Sequence, residues 1–222
     1  MDISSLIRSL ERAENDNRKF ALLLILSELM KSNKLDELKP TSNTEDNEAC
    51  RGLNKKLFNS IGSHFLARLI TTKQTVENCS PLIFKSIAFS ILTQFLDYPE
   101  LIFDPILISK IDIICEVILL KSHSSDNSVK NENETAIQLE EDLVLDVFKY
   151  LFALSSYCPE HLIQSAGLLD ILMHKVILNE NYNKAKRLEF EKKNLHEQDP
   201  DILACKVCTF LLNTNLNNFK IV

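Results

Sequence analysis

An all-α fold, arranged as an α-solenoid of stacked helical hairpins, is what the sequence predicts, on three observations. The 222 residues are 45% hydrophobic and 25% charged, with three Gly, six Pro and no Trp, so apolar material is ample while the turn chemistry of a many-stranded sheet is scarce. Apolar residues recur at helical spacing along most of the chain. A helical unit also repeats: Tyr98-Pro99-Glu100 aligns with Cys158-Pro159-Glu160, and the positions before them match as Phe84 with Val144, Ile87 with Val147, Ala88 with Phe148, Ile91 with Leu151 and Leu92 with Phe152.

Ile3, Leu6, Ile7 and Leu10 place a first amphipathic helix over residues 3–13, its other face carrying Arg8, Glu11 and Arg12. Asn15 or Asp16 can cap the next helix, about 16–32, by accepting from a free N–H of its first turn. That helix, with Phe20-Ala21-Leu22-Leu23-Leu24-Ile25-Leu26, is apolar nearly all round and is expected to have neighbours on more than one side, as an inner helix of the solenoid. Residues 33–52 are polar, with Thr44-Glu45-Asp46-Asn47-Glu48 at their centre, and read as a flexible insertion. A helix over Leu53–Ile61 is broken by Gly62, and a shorter one over Ser63–Ile70 leads to a polar loop, Thr71–Asn78.

Ser80-Pro81 reads as an N-cap followed by a first-turn proline, opening a helix with Leu82, Phe84, Ile87, Ala88, Ile91, Leu92 and Phe95 inward. Asp104-Pro105 and Asp199-Pro200 repeat the device, each predicting a long apolar helix; proline loses no hydrogen bond there because that N–H has no intrahelical acceptor. The low-complexity segment 121–135, KSHSSDNSVKNENET, reads as a second flexible insertion. Leaving it out reduces the repeat spacing to about 45 residues, within the roughly 40–47 of armadillo and HEAT units. HLIQSAGLLDILMHKV, residues 161–176, also resembles the armadillo pattern in which a turn of small residues and Gly separates a short helix from a long one. Residues 1–222 are thus expected to form the N-terminal part of an armadillo/HEAT-like domain.

The formal charge of −6 argues against nucleic-acid binding, which needs a basic face to displace counterions from phosphates. Lys184, Lys186, Arg187, Lys192 and Lys193 are interleaved with Glu189 and Glu191 and read as a solvated helix face. Met1-Asp2-Ile3 lacks the basic start of a signal peptide and the glycine that myristoylation requires, so a cytoplasmic location is expected. The apolar run 20–26 is far shorter than the roughly 20 residues that span a bilayer, and no transmembrane segment is expected. Cys50, Cys79, Cys115, Cys158, Cys205 and Cys208 are expected as reduced thiols.

No catalytic, metal or cofactor site is expected. Cys205-Lys206-Val207-Cys208 is the one CxxC, yet only His196 and His174 lie near it as further zinc ligands, and helical spacing beside Leu211 and Leu212 makes both cysteines buried thiols. Cys158 and His161 sit at a repeat turn, where packing explains both, and Ser63-His64 has no oxyanion site beside it. Three isolated glycines build no phosphate-cradling loop, and Glu140-Glu141-Asp142 reads as the acidic start of a helix, opposing its dipole. Arg68-Leu69-Ile70-Thr71-Thr72-Lys73 has the better claim to a contact surface: a basic helix end beside two hydroxyls can hold a carboxylate or phosphate, although basic residues also simply favour helix C-termini.

DNRKFALLLILSELMKS, residues 16–32, resembles the beginning of the neurochondrin family. The resemblance continues through LFNSIGSHFLARLITTK, residues 57–73, with Ile70 in place of a leucine, through the Pro-Glu-Leu unit and Ile108-Ser109-Lys110-Ile111, and through HLIQSAG, residues 161–167. It implies a leucine-rich, cytosolic armadillo-like solenoid that acts through protein partners in neurite outgrowth and intracellular signalling. Two departures stand out: family members are several times longer, and no cysteine precedes Cys50 to accept the family's N-terminal palmitoylation.

The sequence therefore reads as a non-enzymatic cytosolic scaffold or adaptor without cofactor. Asp16, Asn17, Arg18, Arg68, Thr71, Thr72 and Lys73 are the candidate partner contacts. A chaperone-like assembly factor for large complexes, a peripheral membrane-trafficking adaptor and a helical hydrolase are the alternatives.

Overall fold

A computed structural model describes residues 2–32, 38, 44–73, 79–114, 134–157, 159–164, 167–172 and 200–219, and its elements are all helices. The chain divides into two compact units, Met1–Leu107 and Ile108–Val222.

In the first unit, α1 (Ile3–Glu11) starts where the Asp2 carboxylate accepts from the Ser5 N–H at 2.7 Å, and Ile3, Leu6, Ile7 and Leu10 form its buried stripe. Helix α2 (Asp16–Lys31) resolves the choice of cap: Asn15 has extended backbone (φ −145°, ψ 163°) and accepts from the Arg18 N–H at 2.9 Å. Asp16 is the first helical residue. The cap must lie outside helical dihedrals so that its side chain can fold back on the first turn, and Asn15 is the residue that does. Leu22, Leu23, Leu26 and Ser27 of α2 are buried, whereas Leu24 and Ile25 are 41% and 44% exposed, so α2 is covered on one side and open on the other.

Helix α3 (Thr44–Ile61) begins inside the segment expected as a loop, since residues 44–52 are helical. Its buried stripe is Cys50, Asn54, Leu57, Phe58 and Ile61. The polar Asn54 interrupts the stripe between Cys50 and Leu57, and for that reason its upstream half is hard to read from hydropathy. Residues 33–37 and 39–43 of that segment lie outside the described residues. Gly62, at φ 83° and ψ 131°, separates α3 from α4 (Ser63–Thr71) in a conformation closed to most side chains. Helix α5 (Pro81–Thr93) opens as expected, the Ser80 hydroxyl accepting from the Leu82 N–H at 3.3 Å, and Phe84, Ile87, Ala88, Ile91, Leu92 and Phe95 are buried.

Helix α1 packs on α2 and α3, α2 on α5, and α4 on both α3 and α5. Phe20 of α2 meets Phe84 of α5 at 4.7 Å between ring centroids, and Phe58 of α3 meets Phe95 edge-on at 5.3 Å. A short α6 (Pro99–Ile102) and α7 (Pro105–Ile108) follow, each with proline first. The Asp104 carboxylate accepts from the Ile106 N–H at 2.8 Å, as the Asp-Pro pattern requires. The long helix expected after it is interrupted by a turn at 109–110; residues 111–114 are helical again, and the expected helix beyond 114 lies outside the described residues.

In the second unit, α8 (Glu134–Tyr157) carries the aligned repeat positions, and Val144, Val147, Phe148 and Leu151 are buried like their counterparts in α5, while Phe152 is half-exposed. Glu140-Glu141-Asp142 falls within α8 and not at its start, because the helix-favouring run from Glu134 to Leu139 extends it upstream. Residues 121–133 of the low-complexity segment lie outside the described residues; Glu134 and Thr135 are helical. Helix α9 (Pro159–Gln164) again opens on the proline after the repeat junction, Gly167 adopts the left-handed conformation (φ 89°, ψ −3°), and α10 (Leu168–Asp170) follows. Helix α11 (Pro200–Phe219) runs along α8, with α9 against both. Leu203, Ala204, Val207, Cys208 and Leu211 form its inward stripe.

Candidate functional site

The N-terminus of α2 and the C-terminus of α4 meet at one surface. Asp16 stands at the positive end of the α2 dipole, and Arg68 in the last turn of α4, at its negative end, so each charge suits its own helix before they meet. Both Asp16 carboxylate oxygens accept from Arg68 Nη2, at 2.9 Å each. The side chains are 63% and 59% exposed, so the pair contributes at most about 1 kcal/mol. Beneath it lies the Phe65 ring, with Arg68 Cζ 5.4 Å and Lys19 Nζ 5.3 Å from its centroid. Burial lowers the Lys19 pKa, the Asp16 charge opposes that shift, and the Arg68 charge adds to it.

The two hydroxyls expected beside Arg68 turn back onto its own carbonyl: Thr71 Oγ1 donates to it at 3.2 Å and Thr72 Oγ1 at 2.8 Å. The Thr72 carbonyl in turn accepts from Lys85 Nζ at 3.0 Å. Lys85 lies in the apolar α5 and is 8% exposed, so its stem is buried while its ammonium closes the end of α4. The surface therefore offers an arginine already paired with a carboxylate, and threonine hydroxyls whose protons are committed. That is a polar patch in which Lys19, Arg68 and Lys73 outnumber the single carboxylate of Asp16, suited to a protein surface that carries acidic groups. Asn17, Arg18 and Lys73 are exposed. At about 100° per residue, Asn17 and Arg18 point away from the Asp16 direction, toward the open side of α2.

Sequence reasoning missed the most organised polar group of the first unit. Asn54 of α3 is fully buried, and the two N–H bonds of its Nδ2 are shared among three acceptors, the Leu38 carbonyl at 3.1 Å, the Cys50 carbonyl at 3.0 Å and the Tyr98 hydroxyl at 3.2 Å. Its Oδ1 finds no partner. Cys50 Sγ and the Tyr98 hydroxyl lie 3.3 Å apart, and burial, with the bond to Cys50, raises the tyrosine pKa. On the exposed rim above, Arg51 Nε donates to Glu100 at 2.6 Å, a bond that raises the Arg51 pKa and lowers that of Glu100. The signal that could have found this group is the four-residue spacing of Cys50 and Asn54 ahead of Leu57-Phe58-Ile61.

The chemically suggestive sequence motifs fare as follows. Cys50, Cys79, Cys205 and Cys208 are free thiols. Cys208 is buried, which pushes its thiol up to about 11, but Cys205 is exposed, contrary to the expectation that both are buried. Positions 204, 207, 208 and 211 make the inward stripe, and residue 205 lies about a quarter-turn outside it, as does Leu212. His174 and His196 lie outside the described residues, as do Cys158, the side chain of His161 and the basic cluster 184–193; His64 is exposed. Among the described residues no three His, Cys, Asp or Glu side chains gather as metal ligands, and no helix is long and apolar enough to cross a membrane.

Comparison with known proteins bears on the same segments. The family model described as Neurochondrin matches residues 2–159, which hold most of the described helices and the whole Asp16–Arg68 surface. Among relatives, the neurochondrin homolog of Drosophila melanogaster is 32% identical over 110 residues, 49% of this chain and 13% of the relative. Neurochondrin of Rattus norvegicus is 25% identical over 118 residues, 53% of this chain and 14% of the relative. That of Bos taurus is 23% identical over 206 residues, 88% of this chain and 25% of the relative. The chain thus spans a quarter or less of the length of these relatives. No solved structure matches it.

Proposed function

The chain belongs to the neurochondrin family, and from that premise we propose that it acts as a non-enzymatic cytoplasmic scaffold or adaptor of the neurochondrin type. Its helical hairpins stack in armadillo/HEAT fashion and present side chains to other proteins, and its role lies in neurite outgrowth and intracellular signalling through those partners. The observation that carries this reading is the family match over residues 2–159. Two local features support the repeat: short helices open on Pro99 and on Pro159, and the helices before them bury Ile87, Ala88 and Ile91 in one case and Val147, Phe148 and Leu151 in the other. The contact surface is centred on Asp16, Arg68, Thr71, Thr72 and Lys73, with Asn17 and Arg18 on the adjoining open side of α2. Its excess of basic side chains, with Arg68 already bonded to Asp16 and the threonine hydroxyls turned onto a carbonyl, favours a polar protein face with acidic groups over a bare anion.

Proximity labelling in cells with the full-length gene product tests this reading. A scaffold labels a stable, specific set of proteins, and Asp16→Lys with Arg68→Glu in the folded protein changes that set. Labelling confined to newly made clients would favour the chaperone-like reading, and labelling of vesicle-coat or tethering proteins the trafficking adaptor. A set untouched by the double reversal would remove these residues from the contact surface.

A further inference from the structure

We propose that the open face of α2 is a self-association surface on which a second copy of this chain seats its own α2, antiparallel, about a two-fold axis near residue 23. The observation is a register. The exposed residues of α2 include Arg18, Ala21, Leu24, Ile25 and Glu28, a stripe at three- and four-residue spacing opposite the buried Leu22, Leu23, Leu26 and Ser27. Its apolar centre is real surface: Leu24 and Ile25 are two of the five large hydrophobic residues most exposed among those described.

An antiparallel pair of helices centred on residue 23 brings position 18 opposite 28 and position 21 opposite 25. Each Arg18 then faces the Glu28 of the other copy, and each Ile25 faces the small Ala21. The two ends of the stripe carry opposite charges equidistant from the apolar centre, so an antiparallel isologous pairing joins unlike charges at both ends, whereas a parallel one would set Arg18 against Arg18. The same stripe fits a membrane surface poorly, because an interfacial helix wants cationic flanks and this one ends in a glutamate. The seam is one helix wide and three turns long, less than the roughly 1,200–2,000 Å² of a stable interface, so the pair is weak and forms at high concentration. The inference stands apart from the family reading and shares with it only Arg18.

Sedimentation equilibrium of the 222-residue chain between about 10 and 500 µM tests it, a range set for a weak association. The weight-average mass should rise from monomer toward dimer and no further. Ile25→Arg, at a 44%-exposed site and with its fold checked by circular dichroism, should weaken association at least about tenfold. Arg18→Glu and Glu28→Arg should each weaken it about two- to fivefold, and an equimolar mixture of the two should pair better than either alone, because every cross-axis contact then joins opposite charges. A mass that stays monomeric throughout, a dimer indifferent to Ile25→Arg, species larger than the dimer, or charge variants that mixing does not restore would each overturn the proposal. So would a monomer whose Leu24 and Ile25 instead hold a different protein.

Discussion

Replacing Asn54 by alanine tests what ties Leu38 to α3. In the folded protein the Leu38 residue is fully buried, and its carbonyl accepts from Asn54 Nδ2 at 3.1 Å, with Gln94 Nε2 at 3.5 Å the weaker second donor. The Cys50 carbonyl sits one turn back in the same helix, where the backbone serves it, so losing the side-chain bond there costs little. Leaving the Leu38 carbonyl with only the distant Gln94 costs about 1–3 kcal/mol, and losing the Tyr98 contact about 0.5–1.5 kcal/mol. The vacated space adds about 1 kcal/mol. Removing the unpartnered Oδ1 returns on the order of 1 kcal/mol, so Asn54→Ala should destabilise by about 1.5–4.5 kcal/mol. Asn54→Asp, which keeps the shape but exchanges the donor for a buried negative charge facing a carbonyl, should be worse, and Asn54→Leu, which fills the space and removes Oδ1, milder than alanine. Urea denaturation followed by far-ultraviolet circular dichroism, with unchanged m-value as the two-state check, measures all three. A loss below about 0.5 kcal/mol for alanine, or aspartate no worse than leucine, would refute the account.

Three further outcomes follow. Asn15→Ala should cost about 1 kcal/mol, while Asp16→Ala, which loses an exposed ion pair and a dipole contact, should cost less; equal losses in parallel melts would remove Asn15 from the cap. Gly62→Ala meets nothing closer than the Asn59 carbonyl at 4.0 Å, so any cost is conformational, about 1–3 kcal/mol at φ 83°; a neutral substitution would mean the turn tolerates an L residue. Burial raises the pKa of both Tyr98 and Cys208, so as pH rises past their ordinary ranges, about 8.5 for Cys and 10 for Tyr, the unfolded chain releases protons that the folded chain keeps. The unfolded state then binds fewer protons and stability falls with pH; Tyr98→Phe and Cys208→Ala should flatten that alkaline limb in urea midpoints taken from pH 7 to 10.5.

The candidate surface was legible in part. Arg68 and its threonines were visible as a helix end, and Asp16-Asn17-Arg18 as a helix start, because caps and terminal charges are local chemistry. That Asp16 and Arg68 meet, 52 positions apart, is a product of α2 and α4 lying side by side. The burial of Lys85 was not legible, since an isolated lysine in an apolar helix reads as solvated until a carbonyl is found within its reach.

By itself the sequence determined the all-helical class, the helix starts at Ser80-Pro81 and Pro200, the break at Gly62 and the inward stripe of α1. Each of these rests on a side chain acting within one turn of itself or on a clear difference between two faces. Tertiary structure alone decided the rest. A segment as uniformly apolar as Phe20–Leu26 carries no phase, so only its neighbours fix that Leu23 and Leu26 are covered while Leu24 and Ile25 stay open. Asn54 carries no hydrophobic signal, and its place in the core depends on the Leu38 carbonyl and the Tyr98 hydroxyl arriving from elsewhere in the chain. Periodicity is written residue by residue; which face meets a partner is a property of what folds against it.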